Sequence, residues 1–67
     1  MDIQYEEGLT LTDVLKMTGI VSTGGEAKVR IQAGEIRVNG ETETRRKKKL
    51  HADDVIEALG ETIHLCL

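Results

Sequence analysis

The stretch Gly34-Glu35-Ile36-Arg37-Val38-Asn39-Gly40 decides how this chain of 67 residues is read. Ile36 and Val38 alternate with Glu35 and Arg37, the period of two that puts apolar side chains on one face of a strand. Asn39-Gly40 follows at once, and this dipeptide favours the two-residue hairpin turn whose central positions both need positive φ. Gly34, just upstream, stands where a helix C-terminal cap belongs. One short segment therefore predicts a helix end, a strand, a turn and a returning strand. The return arm is less regular, because a two-residue turn sets Glu41 and Glu43 across from Val38 and Ile36. A bulge or a short edge strand is expected there.

Upstream, two segments carry helix-start signatures. Thr10 with Asp13 has capping-box spacing, and Leu11, Val14 and Leu15 then share a helical face with Lys16 off the stripe. This helix is expected to end near Gly19. Ile20-Val21-Ser22 connects it to a second start at Thr23 and Glu26, again at capping-box spacing, with Ala27, Ile31 and Ala33 as the buried face and Gly34 as the end. Before the helices, Ile3 and Tyr5 alternate with Asp2, Gln4 and Glu6 as a short half-buried strand that Gly8 interrupts. Downstream, residues 55–59 and 62–67 read as two further strands separated by Gly60-Glu61, with Ile63, Leu65 and Leu67 on one face. The order of strand, two helices, then strands predicts an α+β fold, with two helices packed against a small, mostly antiparallel β-sheet. Residues 1–67 are expected to form a single domain.

A chain this short buries only roughly 60% of the surface of its unfolded form, so the core must be thin. The one cysteine, Cys66, offers no internal disulfide, and His51, His64 and Cys66 match no metal-ligand spacing, so no metal and no cofactor is expected. A reducing cytoplasmic setting fits. The chain has no apolar run of the ~18 residues that span a bilayer, and its acidic start is unlike a signal peptide. No membrane role is expected.

The net charge of −3 hides a strong segregation. Residues 1–27 carry Asp2, Glu6, Glu7, Asp13 and Glu26 against Lys16, a net −4, and residues 50–67 carry Asp53, Asp54, Glu57 and Glu61 with no cation, also −4. Between them Lys28, Arg30, Arg37, Arg45, Arg46, Lys47, Lys48 and Lys49 face Glu35, Glu41 and Glu43, a net +5. The run Arg45-Arg46-Lys47-Lys48-Lys49 follows the hairpin arm, where a scaffold can present it to a polyanion. Arginine supplies a planar fork for phosphate oxygens and lysine a mobile point charge. A solvated basic loop or a lysine-guarded edge strand would have the same composition. Gly24 and Gly25 fall in the first turn of the second helix, where each costs about 1 kcal/mol relative to alanine. Two readings of that cost stand side by side: close approach of a phosphate backbone to the helix N–H groups, or helix packing too tight for a Cβ. Aromatic content is 1%, Tyr5 alone, so splayed bases have no stacking platform, and the shape and phosphates of a folded RNA are the better target.

Several of these segments are similar to a known family. Gly34 to Gly40 looks like a "G-x-V-x-V-N-G" motif, Glu26-Ala27-Lys28 with Ile31 like the core of its second helix, Leu11 to Lys16 like its first, and Asp54-Val55-Ile56 like its "G-D-x-I". Together they resemble the RNA-binding domain named after ribosomal protein S-four, also called the αL motif. Thr23-Gly24-Gly25-Glu26-Ala27-Lys28, with Glu43-Thr44-Arg45-Arg46 and Lys49-Leu50, resembles its small single-domain bacterial branch. The resemblance implies RNA lying across the paired helices and the basic loop, and no catalysis, since enzymes of the family carry their chemistry in other domains. Two departures stand out. Many members have "S-R" where Thr23-Gly24 stands, which removes one arginine and shifts the grip toward residues 45–49, and glycine where Asp53 stands, a residue that tolerates the left-handed conformation.

The expected function is therefore non-catalytic binding of structured RNA by a monomer. Ribosomal RNA is the expected partner, in ribosome assembly or on assembly intermediates. The expected contacts are Lys16, Thr23, Gly24, Gly25, Lys28, Arg37, Arg45, Arg46, Lys47, Lys48 and Lys49. The alternative is a protein-interaction module whose basic loop docks an acidic partner, because cations do not distinguish carboxylate from phosphate.

Overall fold

The computed structural model describes residues 1–67. Its elements run β1 (Asp2–Gln4), α1 (Leu11–Met17), α2 (Gly24–Gln32), β2 (Ile36–Val38), β3 (Glu41–Thr42), β4 (Val55–Ala58) and β5 (Glu61–Cys66). The strands form one sheet in the order β1-β5-β4-β2-β3. Every neighbouring pair is antiparallel except β1 with β5, which run parallel with Ile3 beside Leu65. The α+β architecture expected from the sequence is the one observed.

The expected turn sits at Asn39-Gly40. Both residues have positive φ, 53° and 83°, and Val38 pairs directly with Glu41. The return arm β3 is a two-residue edge strand with both side chains exposed, so Glu41 stays in water although it lies opposite Val38. Gly34, at φ 79°, terminates α2: its N–H donates to the Ile31 carbonyl and the Glu35 N–H to that of Arg30. That pair of bonds is the Schellman arrangement, and it aims the chain into β2.

Helix α1 starts with the capping box expected at Thr10 and Asp13, each side chain accepting from the other's backbone N–H. At α2 the box is incomplete. Thr23 Oγ1 accepts from the Glu26 N–H, but the Glu26 carboxylate reaches one residue further back, to the Ser22 N–H at 2.7 Å. Ala33 does not join the buried face; it is the exposed C-cap, because the helix ends at Gln32.

The largest departure from the sequence reading is the last hairpin. Its turn is Leu59-Gly60, both at positive φ, rather than Gly60-Glu61, so β4 stops at Ala58 and Glu61 already belongs to β5 opposite it. Gly60 takes the second position of the turn, and strand register forces Leu59 into the first, against its intrinsic preference. Leu67 lies beyond β5 and is 87% exposed, outside the apolar face that Ile63 and Leu65 build.

Fourteen residues are buried, all apolar. Leu11, Val14, Leu15, Ala27 and Ile31 of the helices close onto Ile36, Val38, Ile56, Ala58, Ile63 and Leu65 of the sheet, with Leu9, Val21 and Leu50 completing the cluster. The helices thus cover one face of the sheet. The opposite face, with Arg37, Glu57, Thr62, His64 and Cys66, is uncovered.

Asn39 does more than turn the hairpin. Its side-chain oxygen accepts from the Val55 N–H and its NH2 donates to Asp54 Oδ1, both at 2.9 Å, while Asp54 Oδ2 accepts from the His51 N–H at 2.8 Å. Replacing Asn39 by Ala removes two side-chain bonds and a residue suited to positive φ, an expected loss of roughly 2–3 kcal/mol. Asn39→Gly keeps the backbone freedom and is expected to lose less. Urea unfolding of the two variants separates the contributions.

Candidate nucleic-acid interface

The basic run lies on the loop between β3 and β4, and its backbone is held down along its length. Leu50 is buried, its N–H donates to the Leu9 carbonyl, and the Leu11 N–H donates to the Lys48 carbonyl, both at 2.9 Å. Thr12 binds the Arg46 carbonyl twice, from its hydroxyl at 2.7 Å and its N–H at 3.3 Å. The loop therefore caps α1 with its own carbonyl groups. The N–H groups of Leu11 and Thr12, orphans of the first helical turn, are satisfied by the loop, and the Asp13 N–H by Thr10. With carbonyls turned inward, the cationic side chains project into solvent.

The start of α2 is the opposite case. The N–H groups of Gly24 and Gly25 have no acceptor within the protein. A Cβ built on Gly24 meets nothing within 4 Å, and one on Gly25 meets only Thr23 Oγ1 at 3.8 Å. Tight helix packing, one of the two readings of these glycines, is therefore ruled out. What remains is an open helix N-terminus with two free donors and no side chain above them, the geometry that favours an anion.

Loop and helix start meet in one depression of about 610 Å3, lined by Thr10, Thr12, Asp13, Gly24, Arg46, Lys47 and Lys49. A second, of about 740 Å3, lies on another side of the same loop and is lined by Gln32, residues 44–49 and His51. No hydrophobic residue lines either one. Thr10, Thr12 and Asp13 were missed in the sequence because the docking of the loop on α1 joins segments more than thirty residues apart. Asp13 brings a negative charge to this groove, but its carboxylate already accepts from the Thr10 N–H at 3.0 Å.

The expected contact residues do not all gather here. Lys16 and Lys28 are exposed on the helices, Lys28 one turn into α2. Arg37 lies on the uncovered face of the sheet, paired across strands with Glu57 and sharing a shallow site with Glu35 and Glu61. Its surroundings are acidic, which sets it apart from the basic loop. Arg45 is tied to Glu43 by two guanidinium bonds of 2.9 and 3.2 Å, and its N–H donates to the same carboxylate. Of the nine Lys and Arg residues, Arg30 and Arg45 are held in ion pairs, with Glu35 and Glu43 respectively. Arg46, Lys47, Lys48 and Lys49 have no carboxylate partner, which makes Arg46 the free arginine fork of the loop.

A family model described as the S4 domain matches residues 1–66. A probable ribosome maturation protein of Bacillus subtilis, RlbA, is 39% identical over 54 residues, 81% of this chain and 76% of that protein. The putative RNA-binding protein YbcJ of Escherichia coli is 33% identical over 55 residues, 82% of this chain and 79% of its own length. The solution structure of Escherichia coli YbcJ, described as revealing an ALFAL motif involved in RNA binding, superposes with a TM-score of 0.71 at 27% identity, covering 100% of this chain and 85% of that one.

The Glu43–Arg45 pair makes a prediction about acid. The hydrogen bond from the Arg45 side chain is the main cause that holds the Glu43 carboxyl below its ordinary value of 4.5; partial burial opposes it, and the Arg45 N–H and the charges of Arg45 and Lys48 assist. A carboxyl with a lowered pKa in the fold stabilises it above the unfolded value, and that contribution is lost as pH falls through the folded value. Glu43→Gln is therefore expected to lower the melting temperature slightly at neutral pH. The deficit should close as pH drops below 4.5, which thermal melts at stepped pH would read.

Proposed function

This chain belongs to the S4-domain family of non-catalytic RNA-binding proteins, and from that premise we propose that it grips structured ribosomal RNA during ribosome maturation, with the basic loop and the start of α2 as the two sides of one phosphate site. The observation that supports this reading best is the groove where Arg46, Lys47 and Lys49 stand beside Gly24. Phosphate on one side meets mobile and forked cations, and on the other two unengaged N–H donors at the positive end of a helix. The ribosomal target draws on the likeness to RlbA, named as a probable ribosome maturation protein. Contacts to phosphate fix position and orientation without reading sequence, which fits a surface with Tyr5 as its one aromatic residue. Lys16 and Lys28 extend the site along the helices. Arg37 is left out, because its sheet face is acidic.

Fluorescence anisotropy with ribosomal RNA fragments tests the site. Arg46→Ala should flatten the dependence of log K on log salt by roughly 0.7 to 0.9, one phosphate contact. An unchanged slope would remove Arg46 from the interface. Gly24→Ala and Gly25→Ala have room in the fold and should each stabilise it by a few tenths to about 1 kcal/mol, while weakening RNA binding through steric exclusion of the phosphate. Variants that gain stability and keep full affinity would sink the role of α2. Co-sedimentation with ribosomal particles that survives nuclease treatment would instead support a protein partner.

A further inference from the structure

We propose that the uncovered face of the sheet holds a divalent transition-metal site, built from Asp2, His64 and Cys66 and suited to zinc. His64 and Cys66 are two apart on β5, so the pleat puts both side chains on the same face, away from Ile63 and Leu65. The parallel register of β1 on β5 sets Asp2 directly beside His64. One donor atom from each, carboxylate oxygen, imidazole nitrogen and thiol sulfur, lies within 4.8 Å of the other two. His64 Nδ1 is 3.4 Å from Cys66 Sγ. Zinc bonds of about 2.3 Å to sulfur and about 2.0–2.1 Å to nitrogen, at a tetrahedral angle, put those two atoms about 3.5 Å apart. The two are thus nearly at coordination spacing.

A further observation concerns orientation. Asp53 Oδ1 stands 3.5 Å from His64 Nε2, so the far ring nitrogen has a carboxylate to receive its proton while Nδ1 faces the cluster. Metal-bound imidazoles are characteristically oriented in this way. On binding, the thiol proton leaves to solvent as the zinc–sulfur bond replaces a zinc–water bond, and three protein donors leave one position for water. Such a site would staple the first strand to the last in a domain whose core is thin. Spacing along the sequence could not show it, because Asp2 and His64 meet only through strand pairing.

Untagged, reduced protein titrated with cobalt(II) and then zinc(II) tests the proposal. One cobalt per chain should bind with a sulfur-to-cobalt charge-transfer band and visible bands of tetrahedral intensity, zinc should displace it, and zinc should raise the melting temperature. Cys66→Ser should abolish the charge-transfer band, and Asp2→Asn, which leaves the core untouched, should weaken zinc at least about tenfold. Asp53→Asn keeps a residue suited to the left-handed turn and should weaken zinc by about tenfold; unchanged affinity there would overturn the orienting role. Absence of the band in the parent protein, its persistence in Cys66→Ser, or unchanged zinc affinity in Asp2→Asn would overturn the site.

Discussion

The side chain of Asn39 is the constraint on which the rest of the molecule depends. Its backbone makes the hairpin between β2 and β3, and its amide clamps the segment that enters β4 through Asp54 and Val55. Those two places are the beginning and the end of the long loop that carries the cations. Asp54 then passes the restraint to the His51 N–H, one residue from the buried Leu50. A domain with fourteen buried residues has little packing with which to fix a loop of this length. Hydrogen bonds from one turn residue take over that task, and they hold the loop against the same sheet that carries the helices.

The orientation of the loop follows from a second economy. Helix α1 needs acceptors for its first N–H groups, and the loop has carbonyls to dispose of. Pairing Leu11 with Lys48 and Thr12 with Arg46 satisfies both, leaving the positive side chains no direction but outward. Helix α2 is given no such partner, so the two helix starts diverge in role although both have a threonine cap. A net charge of −3 does not oppose a polyanion at this surface, because exposed charges beyond a Debye length of about 8–10 Å are largely screened. The unpaired cations act locally, and the acidic segments on either side of them in the sequence reduce attraction elsewhere.

Features set by neighbours along the chain are legible in the sequence itself. Asn39-Gly40, the Thr10–Asp13 box and the Gly34 cap each depend on a handful of consecutive residues, and each stands where those residues predict it. Features set by distant pairing are not legible in that way. Leu59 occupies a left-handed position that its side chain disfavours, because the register of Ala58 on Glu61 leaves it no other. Glu26 bonds Ser22 rather than Thr23, a difference of one residue that spacing cannot resolve. The site is legible as a charge cluster and two misplaced glycines. Its internal differences are hidden, because the neutralisation of Arg45 by Glu43 and the separation of Arg37 depend on side-chain direction and strand face.

The anchoring of residues 46, 48 and 50 to the first helix bears on how a ligand is met. A flexible basic tail would surrender about 1–2 kcal/mol of backbone entropy for every residue it ordered on binding. Here that ordering is complete when the chain folds, and only the side chains, at about 0.5–1.5 kcal/mol each, remain to be immobilised. The loop is a preorganised surface rather than a folding-upon-binding segment. Encounter can then proceed as the docking of two nearly rigid bodies, with changes in contact strength expressed mainly in how long the complex lasts.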